Sequence, residues 1–194
     1  MNISRLELPG LRLIIPSVYR DERGHFFESY QKARFQRAGI EENFVQDNHS
    51  SSRAHSLRGL HYQADPGQSK LVRCVSGSIF DVAVDLRASS PTYGKWKGVY
   101  LTEQCHEMLY IPNGFAHGFY VTSASAVVQY KCSSPYDPAQ ERTIAWDDPD
   151  LAIEWPGESP LLSPRDQAGA RFKDFRPLTD VSPYFLSGTV PTHP

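Results

Sequence analysis

The segment Ser78-Ile-Phe-Asp-Val-Ala-Val-Asp-Leu-Arg87 alternates between apolar and mostly charged residues. Successive side chains of a β-strand point to opposite faces, so a period of two predicts a strand here. One face carries Phe80, Val82, Val84 and Leu86, and the other carries Asp81, Ala83, Asp85 and Arg87. We expect the apolar face to lie in a core and the charged face to be wetter.

Further segments rich in Val, Ile, Tyr and Phe flank this strand on both sides. Connections that carry Gly, Pro or Ser separate them, and the chain has 15 prolines and 13 glycines. Such short, closely spaced strands are typical of a β-sandwich or barrel and not of βαβ units. Helix is scarce: residues 29–38 have helical composition and end at Gly39, and a short helix is predicted after Ser163. The other predicted strands are 11–15, 44–50, 57–63, 70–75, 98–102, 108–111, 118–121 and 126–132.

The length of 194 residues suits one domain with a sizeable core. Apolar residues make up 40% of the chain, which together with the glycines approaches the share typical of globular proteins. Disorder, collagen and coiled coil are therefore excluded for most of the chain. We predict one domain over residues 1–183 and a loose C-terminal tail over 184–194, where residues are small or polar.

Charge and hydropathy exclude two classes of partner. Lys and Arg (20 residues) are interspersed with Asp and Glu (22 residues), so no basic stripe is available for a nucleic-acid backbone. No apolar run reaches the roughly 18–20 residues of a membrane span. Arg5 and Glu7 lie where a signal peptide would have its apolar segment. We expect a cytoplasmic protein that binds neither nucleic acid nor membrane.

The three cysteines, Cys74, Cys105 and Cys132, lie far apart and form no C-x-x-C motif. This pattern indicates neither a disulfide framework nor a zinc site. Buried or inert thiols in a reducing compartment are the expected state.

Two of the seven histidines lie beside glycines in strand-like segments. His61 lies in Arg58-Gly-Leu-His-Tyr-Gln63, and His117 in Ile111-Pro-Asn-Gly-Phe-Ala-His-Gly118. A histidine near strands is more often structural, but the second segment has the pattern P-x-G-x-x-H and resembles the second signature motif of the cupin barrel. The resemblance implies an all-β jelly roll, a double-stranded β-helix, with short peripheral helices and a site inside.

Metal-binding cupins also have an H-x-H pair and a glutamate in their first motif. Here the corresponding strand reads His61-Tyr62-Gln63, so the second histidine is absent. Two imidazoles without a carboxylate fall short of a usual divalent-metal site. We therefore expect no metal, and acid–base work by an interior imidazole is the alternative.

Other polar residues have structural interpretations on local evidence. Lys70 begins the strand after His61, and its spacing favours a solvated strand end over a charge inside the barrel. Ser163-Pro-Arg-Asp166 reads as a capping box, with Ser at the N-cap and Asp at N3. Tyr130 and Tyr136 are interpreted as packing residues.

Ten segments in order over most of the chain resemble the dTDP-4-dehydrorhamnose 3,5-epimerase family, whose members are cupins. The resemblance implies epimerisation of dTDP-4-dehydro-6-deoxy-D-glucose at C3 and C5, without a cofactor, to give dTDP-4-dehydro-L-rhamnose. The matching segments are 21–28, 45–49, 58–63, 70–73, 80–87, 90–96, 111–119, 130–131, 146–149 and 162–166.

The family pattern also implies roles for individual residues. His61 is the base, Asp166 orients it, Tyr130 is the acid on the other face of the sugar, and Lys70 stabilises an enolate. Arg58 and Arg23 bind the diphosphate, Gln46 and Asn48 make polar contacts, and His117 lines the sugar–phosphate region. Phe26 and Glu28 meet the thymidine, Tyr136 stacks on thymine, and Glu141 lies near the sugar or base.

Three of these assignments have competing interpretations from the residues alone. Phe26 and Phe27 read as ordinary strand packing, and Glu141 reads as part of a solvated turn. Arg165 stands where many family members have Lys, so the charge is kept but the geometry differs. The family is also dimeric with exchanged N-terminal strands, which leaves open whether residues 23–28 serve their own site or the partner's.

Three rival functions stay open at this point. Relatives in antibiotic-sugar pathways epimerise only C3 or only C5, and they keep the His, Asp and Tyr. A metal-dependent cupin oxygenase or isomerase is disfavoured by the missing H-x-H pair. A non-catalytic sugar-nucleotide binding module would keep the arginines but has no need for His61, Tyr130 and Asp166 together.

Overall fold

The computed structural model describes residues 1–176 and residue 178. The predicted domain boundary at residue 183 and the tail 184–194 lie outside the described residues. The strands are β1 (Asn2–Arg5), β2 (Arg12–Ile15), β3 (Tyr19–Asp21), β4 (Gly24–Phe26), β5 (Gln46–Arg53), β6 (Leu57–Gln63), β7 (Lys70–Ser76), β8 (Ser78–Asp85), β9 (Trp96–Thr102), β10 (Met108–Ile111), β11 (Phe115–Val121), β12 (Ser125–Cys132) and β13 (Glu141–Thr143).

Most strands belong to two antiparallel sheets. One has six strands in the order β1-β2-β10-β7-β12-β5, and the other has five in the order β13-β6-β11-β8-β9. The non-consecutive neighbours are the crossovers of a cupin-type jelly roll, which confirms the predicted fold class. Strands β3 and β4 form a separate hairpin.

Three apolar clusters hold the layers together. The first lies between the two sheets and includes Val72 and Leu109 from one sheet and Ile79 and Phe119 from the other. The second packs the outer face of the five-stranded sheet against the C-terminal segment, and the third packs the outer face of the six-stranded sheet against the region around Phe35. The chain thus buries both faces of its central strands.

Strand β8 shows this double burial and corrects one prediction. Its apolar face packs under the C-terminal segment, but its charged face is also fully buried, because it lies against the other sheet. The charges are paired there: the guanidinium of Arg87 donates two hydrogen bonds to the Asp85 carboxylate, at 2.8 and 2.7 Å. The expectation of a wetter face was therefore wrong.

Helix α1 (Lys32–Arg37) begins and ends within the predicted helical segment, and Gly39 follows it with φ +77°. Helix α2 (Pro164–Gln167) follows Ser163 as predicted, and a 3₁₀ turn spans Phe172–Asp174. Strands β1, β3, β4 and β13 were not predicted; each has only three or four residues, although β2 and β10, with four residues each, were predicted. Within residues 1–176, no helix is long and apolar enough to cross a membrane.

All three cysteines are free thiols. Cys74 and Cys132 are buried, and burial raises the pKa of Cys74 to about 11. Burial also raises the pKa of Cys132, so both buried thiols are protonated near neutral pH, which fits the prediction for these two cysteines. Cys105 is exposed.

Candidate active site

A cavity of about 630 Å³ opens between the two sheets. Both sheets and α2 contribute polar side chains to it, so the jelly roll brings together residues that lie more than a hundred positions apart in the sequence. The lining residues are Gln46, Asn48, Ser50, Arg58, His61, Gln68, Lys70, His117, Phe119, Tyr130, Tyr136, Glu141, Ser163, Arg165 and Asp166.

Close packing of backbone places the two central histidines side by side. His61 on β6 is paired in register with His117 on β11. Gly59 has φ +124°, and a Cβ there would lie 2.6 Å from the Cα of Gly118. Glycine is needed at this position because the two strands approach so closely.

His61 forms a dyad with Asp166. The imidazole Nε2 lies 2.6 Å from Oδ1 of the buried Asp166 carboxylate. The other oxygen, Oδ2, accepts a hydrogen bond from the Ser163 hydroxyl at 2.7 Å, and this hydroxyl accepts one from the Asp166 amide. The predicted Ser163 cap is therefore present, although the Asp166 carboxylate bonds the Ser163 hydroxyl and not its backbone amide, and the same carboxylate also contacts the imidazole.

The charge states of the dyad follow from its surroundings. Burial alone would raise the pKa of Asp166, but hydrogen bonds from His61 and Ser163 outweigh it and leave the pKa below its usual value. Burial lowers the pKa of His61, and Asp166 only partly opposes this. Asp166 is therefore ionised and His61 neutral at pH 7. Nη2 of Arg165 also lies 3.2 Å from Nε2, but the Asp166 carboxylate is closer, at 2.6 Å, and can only accept, so we assign the imidazole proton to Nε2 and the free lone pair to Nδ1.

Lys70 is buried in the cavity wall, with 8% of its surface exposed. The interpretation as a solvated strand end was wrong, because β7 is the third strand from one edge of its sheet and its first residue lies between β10 and β12. Burial lowers the pKa of the Lys70 ammonium. A buried cation of this kind can stabilise a developing negative charge.

Tyr130 on β12 lines the cavity and also packs against the core between the sheets. Burial raises the pKa of its phenol. The hydroxyl is thus protonated at neutral pH and can donate a proton. The packing interpretation of Tyr130 was incomplete, since the residue is in the core and in the cavity.

Charged and polar groups form the rim of the cavity. Arg165 pairs with Glu141, and Glu141 also accepts a hydrogen bond from the Tyr136 hydroxyl at 2.8 Å. Glu141 lies on β13, so the expectation of a solvated turn was wrong. Arg58 donates from Nε to the Ser52 hydroxyl at 2.9 Å. Two arginines thus line the cavity. Within residues 1–176, no group of three or more His, Cys, Asp or Glu side chains is placed to hold a metal ion.

Comparison with known proteins identifies the family of this chain. A family model described as dTDP-4-dehydrorhamnose 3,5-epimerase matches residues 5–174. The chain belongs to this family of epimerases. It is therefore an isomerase that acts on dTDP-sugars.

Individual relatives agree with this membership. A dTDP-4-dehydrorhamnose 3,5-epimerase of Shigella flexneri is 51% identical, over 90% of this chain and 97% of that protein. An epimerase structure from Legionella pneumophila in complex with dTDP-4-keto-L-rhamnose has a TM-score of 0.86 and 49% identity, over 89% of this chain and 93% of that one. A 3'-monoepimerase from Streptomyces bikiniensis in complex with dTDP-quinovose has a TM-score of 0.81 and 35% identity, over 86% and 85%.

Three residues that the family pattern assigns to the substrate do not line the cavity of this chain. Arg23 and Phe26 belong to the exposed β3–β4 hairpin, where Phe26 is 71% exposed. Arg23 pairs with Asp21, and Glu28 pairs with Arg34. The alternative expectation, that Phe26 packs within a strand, was also wrong because its side chain is exposed. Phe27 does pack, against the ring of His106.

Several residues at the cavity were missed from the sequence, among them Ser50, Gln68 and Phe119 of the lining and Asp81 beside it. Asp81 is fully buried and its oxygens lie 3.0 and 3.1 Å from Nε2 of His117. It was assigned to the wetter face of β8, and only the pairing of β8 with β11 brings it to His117. Ser163 was recognised as a cap, but its hydrogen bond to Oδ2 of Asp166, the oxygen that does not contact His61, was not.

Proposed function

We propose that this chain is a dTDP-4-dehydrorhamnose 3,5-epimerase, which converts dTDP-4-dehydro-6-deoxy-D-glucose to dTDP-4-dehydro-L-rhamnose. The observation that carries the proposal is the His61–Asp166 dyad, located in one cavity with Lys70 and Tyr130. A neutral imidazole, a buried cation and a protonated phenol are the groups that epimerisation next to a ketone requires.

The first step is removal of a proton from carbon. C3 and C5 are both α to the C4 ketone, so loss of either proton gives an enolate. Nδ1 of His61 accepts that proton, and Asp166 stabilises the resulting imidazolium through Nε2. A positioned base of this kind contributes about 10²–10⁴-fold in rate.

The second step returns a proton to the opposite face. The Lys70 ammonium stabilises the C4 oxyanion, which is worth roughly 3–4 kcal/mol for a preorganised donor. Tyr130 gives its phenolic proton to the carbon and regains one from solvent, while His61 releases the abstracted proton. The second carbon then follows the same sequence, and all atoms of the sugar are retained in the product.

The rest of the cavity recognises the nucleotide. Arg58 binds the diphosphate with Gln46 and Asn48 beside it, and Tyr136 stacks on the thymine ring. His117 lines the sugar–phosphate region, and Glu141 and Arg165 lie at its rim. The cavity supplies local positive charge despite a net charge of -2 on the chain.

We further propose that the protein is a cytoplasmic homodimer that exchanges N-terminal strands. Arg23, Phe26 and Glu28 then complete the partner's cavity, where Arg23 meets the diphosphate and the other two meet the thymidine. The exposed β3–β4 hairpin, which carries Arg23 and Phe26 away from this chain's own cavity, supports this arrangement.

Incubation of the protein with dTDP-4-dehydro-6-deoxy-D-glucose in D₂O tests the function. We expect deuterium at both C3 and C5 by NMR, and we expect His61→Ala to lower the rate at both carbons by about 10²–10⁴-fold. His49→Ala is the matched control, because His49 is exposed on β5 and does not line the cavity. Deuterium at one carbon only would assign the chain to the mono-epimerases, and none at either would overturn the proposal.

A further inference from the structure

The residue proposed to stack on thymine lies in an exposed segment, the Tyr136 loop (residues 133–140). Pro135, Tyr136 and Asp137 are all exposed, and Tyr136 retains 49% of its surface. The loop connects β12 to β13 and has no regular secondary structure. Backbone bonds hold its two ends, at Ser133 and Gln140, and its other hydrogen bonds to residues distant in sequence involve side chains.

Gln63 holds this loop on both sides of Tyr136. Its Nε2 donates a hydrogen bond to the Pro135 carbonyl at 3.0 Å, and its Oε1 accepts one from the Asp137 amide at 2.9 Å. Gln63 is the last residue of β6, is only 4% exposed, and does not itself line the cavity. A rigid, buried amide thus fixes the two peptides that flank the stacking residue.

Other contacts act on Tyr136 directly. Its amide donates to Oε1 of Gln46 at 2.8 Å, and its hydroxyl donates to Glu141. Glu141 is the residue paired in register with Gln63 across β13 and β6. The loop is therefore anchored to the strand that also carries His61, so the position of the ring is tied to the position of the base.

We propose that Gln63 is a positioning residue for nucleobase recognition, which acts by holding the Tyr136 loop in its binding conformation. The inference rests on the proposed function, in which Tyr136 stacks on thymine. Gln63 stands two residues after His61, where the metal-binding cupin motif has its second histidine. In this chain the side-chain amide at that position forms hydrogen bonds with the Tyr136 loop.

Gln63→Met tests the inference, because methionine has a similar size and no hydrogen-bonding group for these peptides. Because Pro135 and Asp137 are exposed residues, we expect water to replace the lost bonds and the fold to be retained. We expect KM for the dTDP-sugar and Kd for dTDP to rise about five- to tenfold, while kcat stays within about twofold. A merely structural role would not separate KM from kcat in this way.

A double-mutant cycle with Tyr136→Ala shows whether Gln63 acts through the ring. If it does, Gln63→Met has no further effect on Kd for dTDP once the Tyr136 ring is removed. An equal weakening in both backgrounds would overturn the inference. Gln104→Met is the control, since exposed Gln104 loses one side-chain hydrogen bond, to Glu103, outside the cavity.

The outcomes separate this inference from the function on which it rests. If the wild-type protein binds dTDP and Gln63→Met binds it equally well, the positioning role is overturned and the epimerase function stands. If the wild-type protein neither binds dTDP nor exchanges protons of the sugar, the proposed function falls and the inference falls with it.

Discussion

At the scale of the residue, groups around the cavity shift the pKa of His61 in opposite directions. Burial lowers the pKa of His61, contact with Asp166 raises it, and the nearby cations Arg165 and Lys70 lower it again, so that the net value lies below the ordinary 6.5. A base must be unprotonated, so activity is present above this pKa and is lost as the pH falls through it. Lys70 has a pKa lowered below 10.5 by burial and must stay protonated.

The lowered pKa values of His61 and Lys70 predict how the reaction rate depends on pH. We expect kcat/KM to be bell-shaped, with an acid limb below pH 6.5 and an alkaline limb below pH 10.5. Initial rates of deuterium incorporation across the pH range check the profile. An acid limb above pH 6.5 would contradict this prediction. It would mean that Asp166 raises the pKa of His61 by more than burial lowers it.

Substitution of Tyr130 can separate its proposed role from the role proposed for His61. In Tyr130→Phe, His61 still removes the proton, but nothing returns one to the opposite face. We expect deuterium exchange to persist while the yield of inverted sugar falls by about 10²–10⁴-fold. NMR measures both quantities in one sample, with Tyr100→Phe, at a 58% exposed tyrosine, as the control. Undiminished inversion would remove Tyr130 from the mechanism.

At the scale of the element, α2 is a single turn whose N-cap also supports the dyad. Ser163→Ala removes the cap of the helix and one of the hydrogen bonds that keep the pKa of Asp166 low. We expect a loss of about 1 kcal/mol in the free energy of unfolding. We also expect kcat to fall by roughly tenfold, since Asp166 loses the hydrogen bond to its second oxygen and a bond to a charged group is worth about 1.5 kcal/mol or more.

Denaturant unfolding and initial rates measure the two effects of Ser163→Ala. The first helix offers a matched control, because its N-cap residue, Gln31, forms no side-chain cap. Gln31→Ala should leave both quantities unchanged. A Ser163→Ala protein with the wild-type kcat would show that Asp166 is positioned without the cap.

At the scale of the whole molecule, the exposed hairpin predicts a shared site. Arg23→Ala and His61→Ala are each expected to be inactive at low substrate concentration. Because random assortment makes half of the dimers mixed, each with one intact site, co-refolding equal amounts should restore about a quarter of wild-type activity. A mixture that stays inactive would show that each chain completes its own cavity.

Local patterns were sufficient for part of the fold. The alternation in β8, the spacing of the strands and the N-cap of α2 are properties of neighbouring residues, and the structure confirms each of them. Very short elements such as β3 and β13 were not predictable, since three residues carry too little periodicity. Local patterns were also misleading where burial depends on packing, as at Lys70 and on the charged face of β8.

By itself the sequence determined the all-β class, the jelly-roll motif, the family resemblance and most residues of the cavity. Only the tertiary structure decided which of them meet. His61 and Asp166 are 105 positions apart, Asp81 reaches His117 across a strand pair, and Gln63 reaches the Tyr136 loop from another strand. The physical reason is that alternation along a strand fixes which face a side chain occupies, whereas the pairing of strands distant in sequence fixes what that face contacts.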